Sequence, residues 1–248
     1  MKRDIVYILK NDISSDEIRY SLRSVCENFP YRKIVFIGGC PEGIEPDLYI
    51  QHEQVGRNKW EKVRSSMIKI LKCEDISEEF FLFNDDFYVL SPQSEDFINF
   101  ADGTLDRRIT ELKQRLGRTS TYTRQLETIQ TFLKRQHKDT VNFALHLPLL
   151  VNRFVALGLL TSYPQIDMFR SFYGNMAEIE YRSHKDVKIY KNDEMPKFDD
   201  YLSTCDDSFR DGAVGVFVRN RFNKPCKYEG KMRPECNLDE IYLEVEHE

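Results

Sequence analysis

Residues 80–90 read Phe80-Phe81-Leu82-Phe83-Asn84-Asp85-Asp86-Phe87-Tyr88-Val89-Leu90, and the reading of this stretch decides the fold. An apolar and aromatic run of this length predicts a strand buried on both faces, as in a parallel sheet covered by helices. Into its middle fall Asn84, Asp85 and Asp86. Two neighbouring carboxylates in an apolar interior need a partner that offsets their charge. A divalent cation such as Mn²⁺ or Mg²⁺ takes oxygen ligands and carries substrate phosphates as well. The carboxyl edge of such a sheet is also where α/β proteins bind ligands. The competing reading is a turn between strands at 80–83 and 87–90. The triplet lacks the glycine that a tight hairpin favours, which weighs against that reading.

Working outward, residues 4–9 alternate as a first strand. Ser14-Ser15-Asp16-Glu17 supplies helix-start chemistry, and Ile18, Leu22 and Val25 follow at helical spacing up to Pro30. A second strand is expected at 33–37, stopped by Gly38-Gly39, and a third at 48–52. Asn58 opens a helix with Trp60, Val63, Met67, Ile70 and Leu71 on its inner face. This β-α-β-β-α-β order predicts an α/β fold with a mostly parallel sheet flanked by helices. Residues 106–139 carry nine Lys/Arg against four Asp/Glu, with apolar residues at helical intervals on either side of 117–121. That pattern predicts a helical insertion, about 104–139, made of two helices. Further on, the pattern predicts a strand at 141–148, a helix at 149–160, and a turn or short helix at 166–173. A short strand at 187–190 and a helix at 208–221 complete it.

The chain has 248 residues, 41% hydrophobic and 12% aromatic, enough for a sizeable core and too apolar for wholesale disorder. Its net charge of −5 sits in residues 229–248, where seven acids face two bases. A single domain over 1–229 with an acidic tail at 230–248 is therefore expected. The six cysteines include no C-x-x-C pair, and no apolar leader of secretory type is read at the start. Both point to a reducing, cytoplasmic setting. The apolar run 145–160 is interrupted by His146, Asn152 and Arg153, so no membrane span is expected.

Four other places carry candidate chemistry. Arg19 and Arg23 share one helix face and could clamp phosphate oxygens, or simply be solvated. His146, in His-Leu-Pro, suits a metal ligand, a diphosphate contact or a general base, against the alternative of a satisfied core histidine. Arg170, among aromatics, either packs against them or stabilises a leaving phosphate. Asp206 and Asp207 read as helix N-cap residues, either of which could face the site. The basic stretch at 106–139 raises nucleic-acid binding, but Tyr122 and Phe132 are its only aromatics, too few for a stacking platform.

The strings Glu17-Ile18-Arg19-Tyr20-Ser21-Leu22-Arg23-Ser24, Phe83-Asn84-Asp85-Asp86-Phe87 and His146-Leu147-Pro148, in this order, resemble conserved blocks of the Stealth-type sugar transferases. Asp4-Ile5-Val6-Tyr7 resembles their opening block, which continues T-W-V-D-G where this chain has Ile8-Leu9-Lys10-Asn11. The resemblance implies a GT-A-like (Rossmann-like) fold, a nucleotide-sugar donor and a divalent metal. Taken with the residue chemistry above, and with a weaker likeness at Arg170-Ser171, these blocks lead to expected donor-binding roles for Arg19, Ser21, Arg23, Asn84 and Asp207, catalytic roles for Asp85, His146 and Arg170, and metal contacts for Asp86, Asp85 and His146. In a regular strand Asn84 and Asp86 share a face, so a local bend decides which aspartate ligates. The expected activity is glycosyl transfer from a nucleoside-diphosphate donor, a UDP-sugar foremost, to a glycan or polymer acceptor, a nucleic acid included. The alternatives are sugar-1-phosphate transfer, as in the Stealth family, and a non-catalytic nucleotide-, glycan- or nucleic-acid-binding module.

Overall fold

A computed structural model describes residues 2–11, 16–191, 193 and 200–230. The acidic tail beyond Gly230 and Ser14-Ser15 of the expected helix start lie outside the described residues. The first elements are β1 (Asp4–Leu9), α1 (Glu17–Asn28), β2 (Ile34–Gly38), β3 (Leu48–Gln51), α2 (Lys59–Leu71) and β4 (Glu79–Phe83). They follow the β-α-β-β-α-β order. The helix α1 stops where Phe29, extended at φ −121° and ψ 133°, precedes Pro30, whose ring disfavours a helical predecessor. At the other helix, the Asn58 side chain accepts hydrogen bonds from the Trp60 and Glu61 amides and so caps α2.

The central sheet has the order β3-β2-β1-β4-β7, with the first four strands parallel and β7 (Leu149–Asn152) antiparallel at the edge. Both faces of the central strands are apolar, each packing into its own layer. Val6, Val35, Phe80 and Leu82 face the side covered by α2, α5 (Arg153–Ser162) and α6 (Phe169–Met176). Ile5, Tyr7, Phe36, Phe81 and Phe83 face α1 on the other side.

The run 80–90 is not one strand. β4 ends at Phe83, and β5 (Phe87–Val89) leaves the central sheet to pair antiparallel with β9 (Tyr201–Ser203). Asn84, Asp85 and Asp86 form the turn between them, closed by the Phe87 amide donating to the Asn84 carbonyl at 3.3 Å. No glycine is required, because the two strands belong to different sheets and do not fold back as a hairpin. Among the described residues the other edge of β5 has no neighbouring strand. Ser21, Ser24 and Asn28, spaced along one face of α1, take that place. Ser21 Oγ donates to the Phe87 carbonyl (2.6 Å), Ser24 Oγ accepts from the Val89 amide (3.0 Å), and Asn28 Nδ2 donates to the Val89 carbonyl (2.8 Å).

The basic segment forms α3 (Leu105–Leu116) and α4 (Thr121–Arg135). Gly117 terminates α3 in the left-handed region at φ 61°, and Ser120 caps α4. The expected strand at 141–148 is instead irregular chain with an isolated bridge at Val141, and the helix expected from 149 is delayed by β7. Asn152 ends that strand and caps α5 through the Phe154 and Val155 amides. The short strand expected at 187–190 reduces to a single bridge, Lys188 to Ser203. The helix expected at 208–221 is two pieces, α7 (Asp206–Asp211) and α8 (Ala213–Arg221), parted at Gly212. A further small pair, β6 (Asn99–Ala101) with β8 (Tyr181–Ser183), was not foreseen.

Candidate active site

The Asn84-Asp85-Asp86 turn sits at the carboxyl end of β4, the edge of a parallel sheet where ligands bind in α/β folds. One carboxylate oxygen of Asp86, Oδ2, contacts Lys188 Nζ, and both side chains are largely buried. The other, Oδ1, is buried without any hydrogen-bond partner. Burial pulls the Lys188 ammonium down, but the Asp86 carboxylate outweighs it and the net shift is upward. Asp85 is pushed up to about 6, first by burial and then by the negative charge of Asp86, with Lys10 and Lys188 pulling the other way. A charge therefore does offset the acidic pair, but it is a lysine that the sequence did not reveal. It compensates the pair only in part.

Arg170, in the first turn of α6, reaches back to the same turn. Its Nη1 donates to the Leu147 carbonyl (2.7 Å), and its Nη2 lies 3.4 Å from both the Leu82 carbonyl and Asn84 Oδ1. The guanidinium carbon lies 5.3 Å from the centroid of the Phe87 ring. All these acceptors are neutral. Burial lowers Arg170 to about 10, against the pull of Asp86 and Asp186, so it stays cationic at neutral pH without a carboxylate in contact.

His146 also meets Phe87, edge to face at 6.2 Å between ring centroids. Its backbone amide donates to Asp186 Oδ1 at 2.9 Å, and its Nδ1 lies 3.0 Å from both Asp186 oxygens. A carboxylate only accepts, so this geometry assigns the proton to Nδ1 and leaves Nε2 with a free lone pair. Nε2 has no protein partner among the described residues. Burial pushes Asp186 up, but its bonds to His146 win and hold it below the usual carboxylate range. Arg108 of α3, 3.8 Å from Asp186, adds to that pull. Phe87 is thus the common spine of Arg170 and His146, and the chain enters it directly from Asp86.

The structure does not bring Arg19, Ser21, Arg23 or Asp207 to this cluster as open binding groups. Arg23 forms a two-point pair with Glu229, at 2.7 and 2.6 Å, and donates to the Phe222 carbonyl. Arg19 binds the Glu42 carbonyl and Asp16, with Glu229 at 3.7 Å. A phosphate clamp needs spare donors facing solvent, and these are committed to the protein. Ser21 is fully buried between the Tyr7 hydroxyl and the Phe87 carbonyl. Asp207 is exposed and pairs with Arg210, while Cys205, not an aspartate, occupies the N-cap of α7. Asp4, which opens the first string of the resemblance, lies at the amino end of β1, bonded to Arg32 and Ser77.

Asp186 and Lys188 are the site residues that sequence reasoning missed. Asp186 lies on irregular chain, and Lys188 lies in the segment expected as a short strand at 187–190, where residue type gave no sign of a role at the site. Among the described residues no three His, Cys, Asp or Glu side chains converge to hold a metal, so His146 does not complete a shell with Asp85 and Asp86. The pair still fits a cation that brings other ligands with it. Mg²⁺ and similar ions are commonly held by one or two carboxylates plus substrate phosphates and water. Asp86 Oδ1 is a buried acceptor lacking a donor, and the raised Asp85 marks a local shortage of positive charge. A separate cavity of about 330 Å³, lined by Glu79, Leu150, Asn152 and Tyr173, lies at the opposite end of β4 and shares none of these groups.

No family model matches the chain, and none of the curated proteins does. Among solved structures the fold is similar to that of the galactosyltransferase LgtC in complex with donor and acceptor sugar analogs. That match has 11% identity over 94% of this chain and 98% of that chain, with a TM-score of 0.49. It is also similar to the glycosyltransferase GlyE of Streptococcus pneumoniae TIGR4, at 13% identity over 91% of this chain and 53% of that chain, with a TM-score of 0.38. No helix of the described residues is long and apolar enough to cross a membrane.

Proposed function

We propose that this chain is a GT-A-type transferase that uses a nucleotide-sugar donor, a UDP-sugar foremost, to modify a hydroxyl of a glycan or polymer acceptor. The observation that carries the reading is the convergence around Phe87 of an acidic turn, an arginine without a carboxylate partner, and a histidine oriented by Asp186. Sugar transfer from a nucleoside diphosphate places growing negative charge on the leaving phosphate and removes a proton from the acceptor. This site has a group for each task.

Asp86 and Asp85 would hold Mn²⁺ or Mg²⁺, which when bound supplies neutralising charge to the donor's phosphates. Arg170 binds the diphosphate with the donors that Leu147, Leu82 and Asn84 leave open, and Asn84 fixes the angle of that guanidinium. His146 Nε2 takes the acceptor hydroxyl's proton. Asp186 keeps the other ring nitrogen protonated and stabilises the imidazolium that results. Phe87 packs against both Arg170 and His146 and shields that side of each from water.

The same site serves the second mode, in which the acceptor attacks the sugar-bearing phosphate and sugar-1-phosphate is transferred. The resemblance to the Stealth blocks favours that mode. Incubation with UDP-sugars, Mn²⁺ and a panel of glycan acceptors separates the two through the nucleotide released. Nucleoside diphosphate means glycosyl transfer, and nucleoside monophosphate means sugar-phosphate transfer. Folded protein that neither binds nor consumes any nucleotide-sugar would overturn both.

A further inference from the structure

The chemistry above leaves Lys188 without a task, although among the described residues no other cation contacts a carboxylate of the acidic turn. The chain around it is fixed to β9: Lys188 bridges to Ser203, and the Ile189 amide donates to the Ser203 carbonyl at 2.8 Å. From there the side chain runs inward to Asp86 Oδ2, with 11% of Lys188 and 13% of Asp86 exposed. Two features of this pair do not suit a purely structural ion pair. A buried pair stabilises only when the remaining lone pairs are satisfied as well, and here Asp86 Oδ1 is orphaned. The lysine also holds the very carboxylate that the acidic turn offers to a ligand. Arg170, the other nearby cation, contacts Asn84 and carbonyls instead.

We infer that Lys188 is a tethered counter-cation of the donor site, holding Asp86 until a divalent cation and nucleoside diphosphate arrive, and then transferring its ammonium to the diphosphate. The inference rests on the transferase reading given above. A divalent ion on Asp86 Oδ1 and an ammonium on Oδ2 share the charge of one small carboxylate, so ion binding by itself loosens Lys188 and is weak. When the ion comes with a diphosphate, the displaced ammonium gains new anionic oxygens a short reach away, and the cost of displacement is recovered. Glu17, a second acid within electrostatic reach of Lys188, keeps the ammonium near the site during the exchange. Metal and nucleotide thus bind together far better than either does alone, with Lys188 as the residue that couples them.

The test is Mn²⁺ binding by calorimetry or electron paramagnetic resonance, with and without UDP, on the full chain and on Lys188→Met and Lys188→Arg. Without UDP, Lys188→Met binds Mn²⁺ at least tenfold more tightly than the unaltered chain, whereas Lys188→Arg stays within a few-fold of it. With Mn²⁺ saturating, Lys188→Met binds UDP at least fivefold more weakly. Equal or weaker Mn²⁺ binding by Lys188→Met, with UDP still bound, overturns the role of Lys188 and leaves the transferase reading intact. Failure of every form to bind UDP, with or without Mn²⁺, overturns the transferase reading and this inference with it. Should Lys188→Met not fold, amine acetylation of the unaltered chain, followed by mass spectrometry, answers the same question. Mn²⁺ alone should raise the rate at Lys188 at least threefold by freeing it from Asp86, and an unchanged rate refutes the displacement.

Discussion

Replacing Asp85 by Asn should make the protein more stable at neutral pH and useless as an enzyme. The carboxyl of Asp85 is raised from 3.8 to about 6, by burial and by the charge on Asp86. Its folded value lies above its unfolded value, so the fold prefers the protonated form. That preference is fully expressed below about pH 4 and is lost as pH climbs through 6. A shift of about two units corresponds to roughly 3 kcal/mol between the two limits. Asparagine keeps the shape and carries no charge, so it escapes this loss. Urea unfolding of both proteins at intervals from pH 4 to pH 8 reads the difference directly. The stability of Asp85→Asn relative to the unaltered chain should rise by up to about 3 kcal/mol across that range. Added Mg²⁺ with UDP should narrow the gap at high pH, because bound cation offsets the charge in the unaltered chain only. A stability difference that stays flat with pH, within about 0.5 kcal/mol, would show that Asp85 ionises without penalty and that the acidic turn is not short of positive charge.

Other expectations follow from the same geometry. His146→Ala should lower kcat by about 10²- to 10⁴-fold with little change in donor KM, since it removes a proton acceptor. Asp186→Asn should lower it by roughly 10- to 100-fold and shift the pH–rate profile, because the imidazole loses its orienting carboxylate; an unchanged profile would count against the dyad. Arg170→Ala should raise donor KM and lower kcat, and Arg170→Lys should recover only part of either, as lysine cannot span Leu147 and Asn84 together. Arg23→Ala should cost up to about 3–5 kcal/mol of stability by leaving the buried Glu229 only its longer contact with Arg19, with nucleotide affinity unaltered in the folded protein. Lost nucleotide affinity at full stability would instead restore Arg23 as a phosphate ligand.

The parallel core was legible because its signals are local. Short apolar runs at 5–9 and 34–37, and helical spacing in 18–25 and 60–71, are each marked within their own segment. The error at 80–90 has a physical cause. β5 is as thoroughly buried as β4, and burial alone does not say which sheet a residue joins. The stretch at 149–160 failed similarly, since β7 and α5 are both apolar there. Asn152, a good N-cap residue, was the available sign of the join. The arginines at 19 and 23 looked unpaired in sequence because the carboxylate that takes them, Glu229, lies 206 residues beyond Arg23. Lys188 and Asp186 likewise come from distant chain, 102 residues beyond Asp86 and 40 beyond His146. The acidic turn, His146 and Arg170 were singled out from residue type and position, and the structure brings them together around Phe87. The groups that set their charge and orientation were not, because only tertiary folding brings them within reach.

The helix α1 does for β5 what a neighbouring strand would ordinarily do, and this has a mechanical consequence. Its three polar teeth engage successive backbone groups of Phe87 and Val89, so the helix and the ribbon can move only as one piece. A slip of α1 by a single position would break all three bonds together, and Phe87 would drift with the turn that precedes it. Substitutions at Ser21, Ser24 or Asn28 would then blur the spacing between the acidic pair and the imidazole without touching any reactant, and their kinetic signature would mimic damage to the chemistry itself.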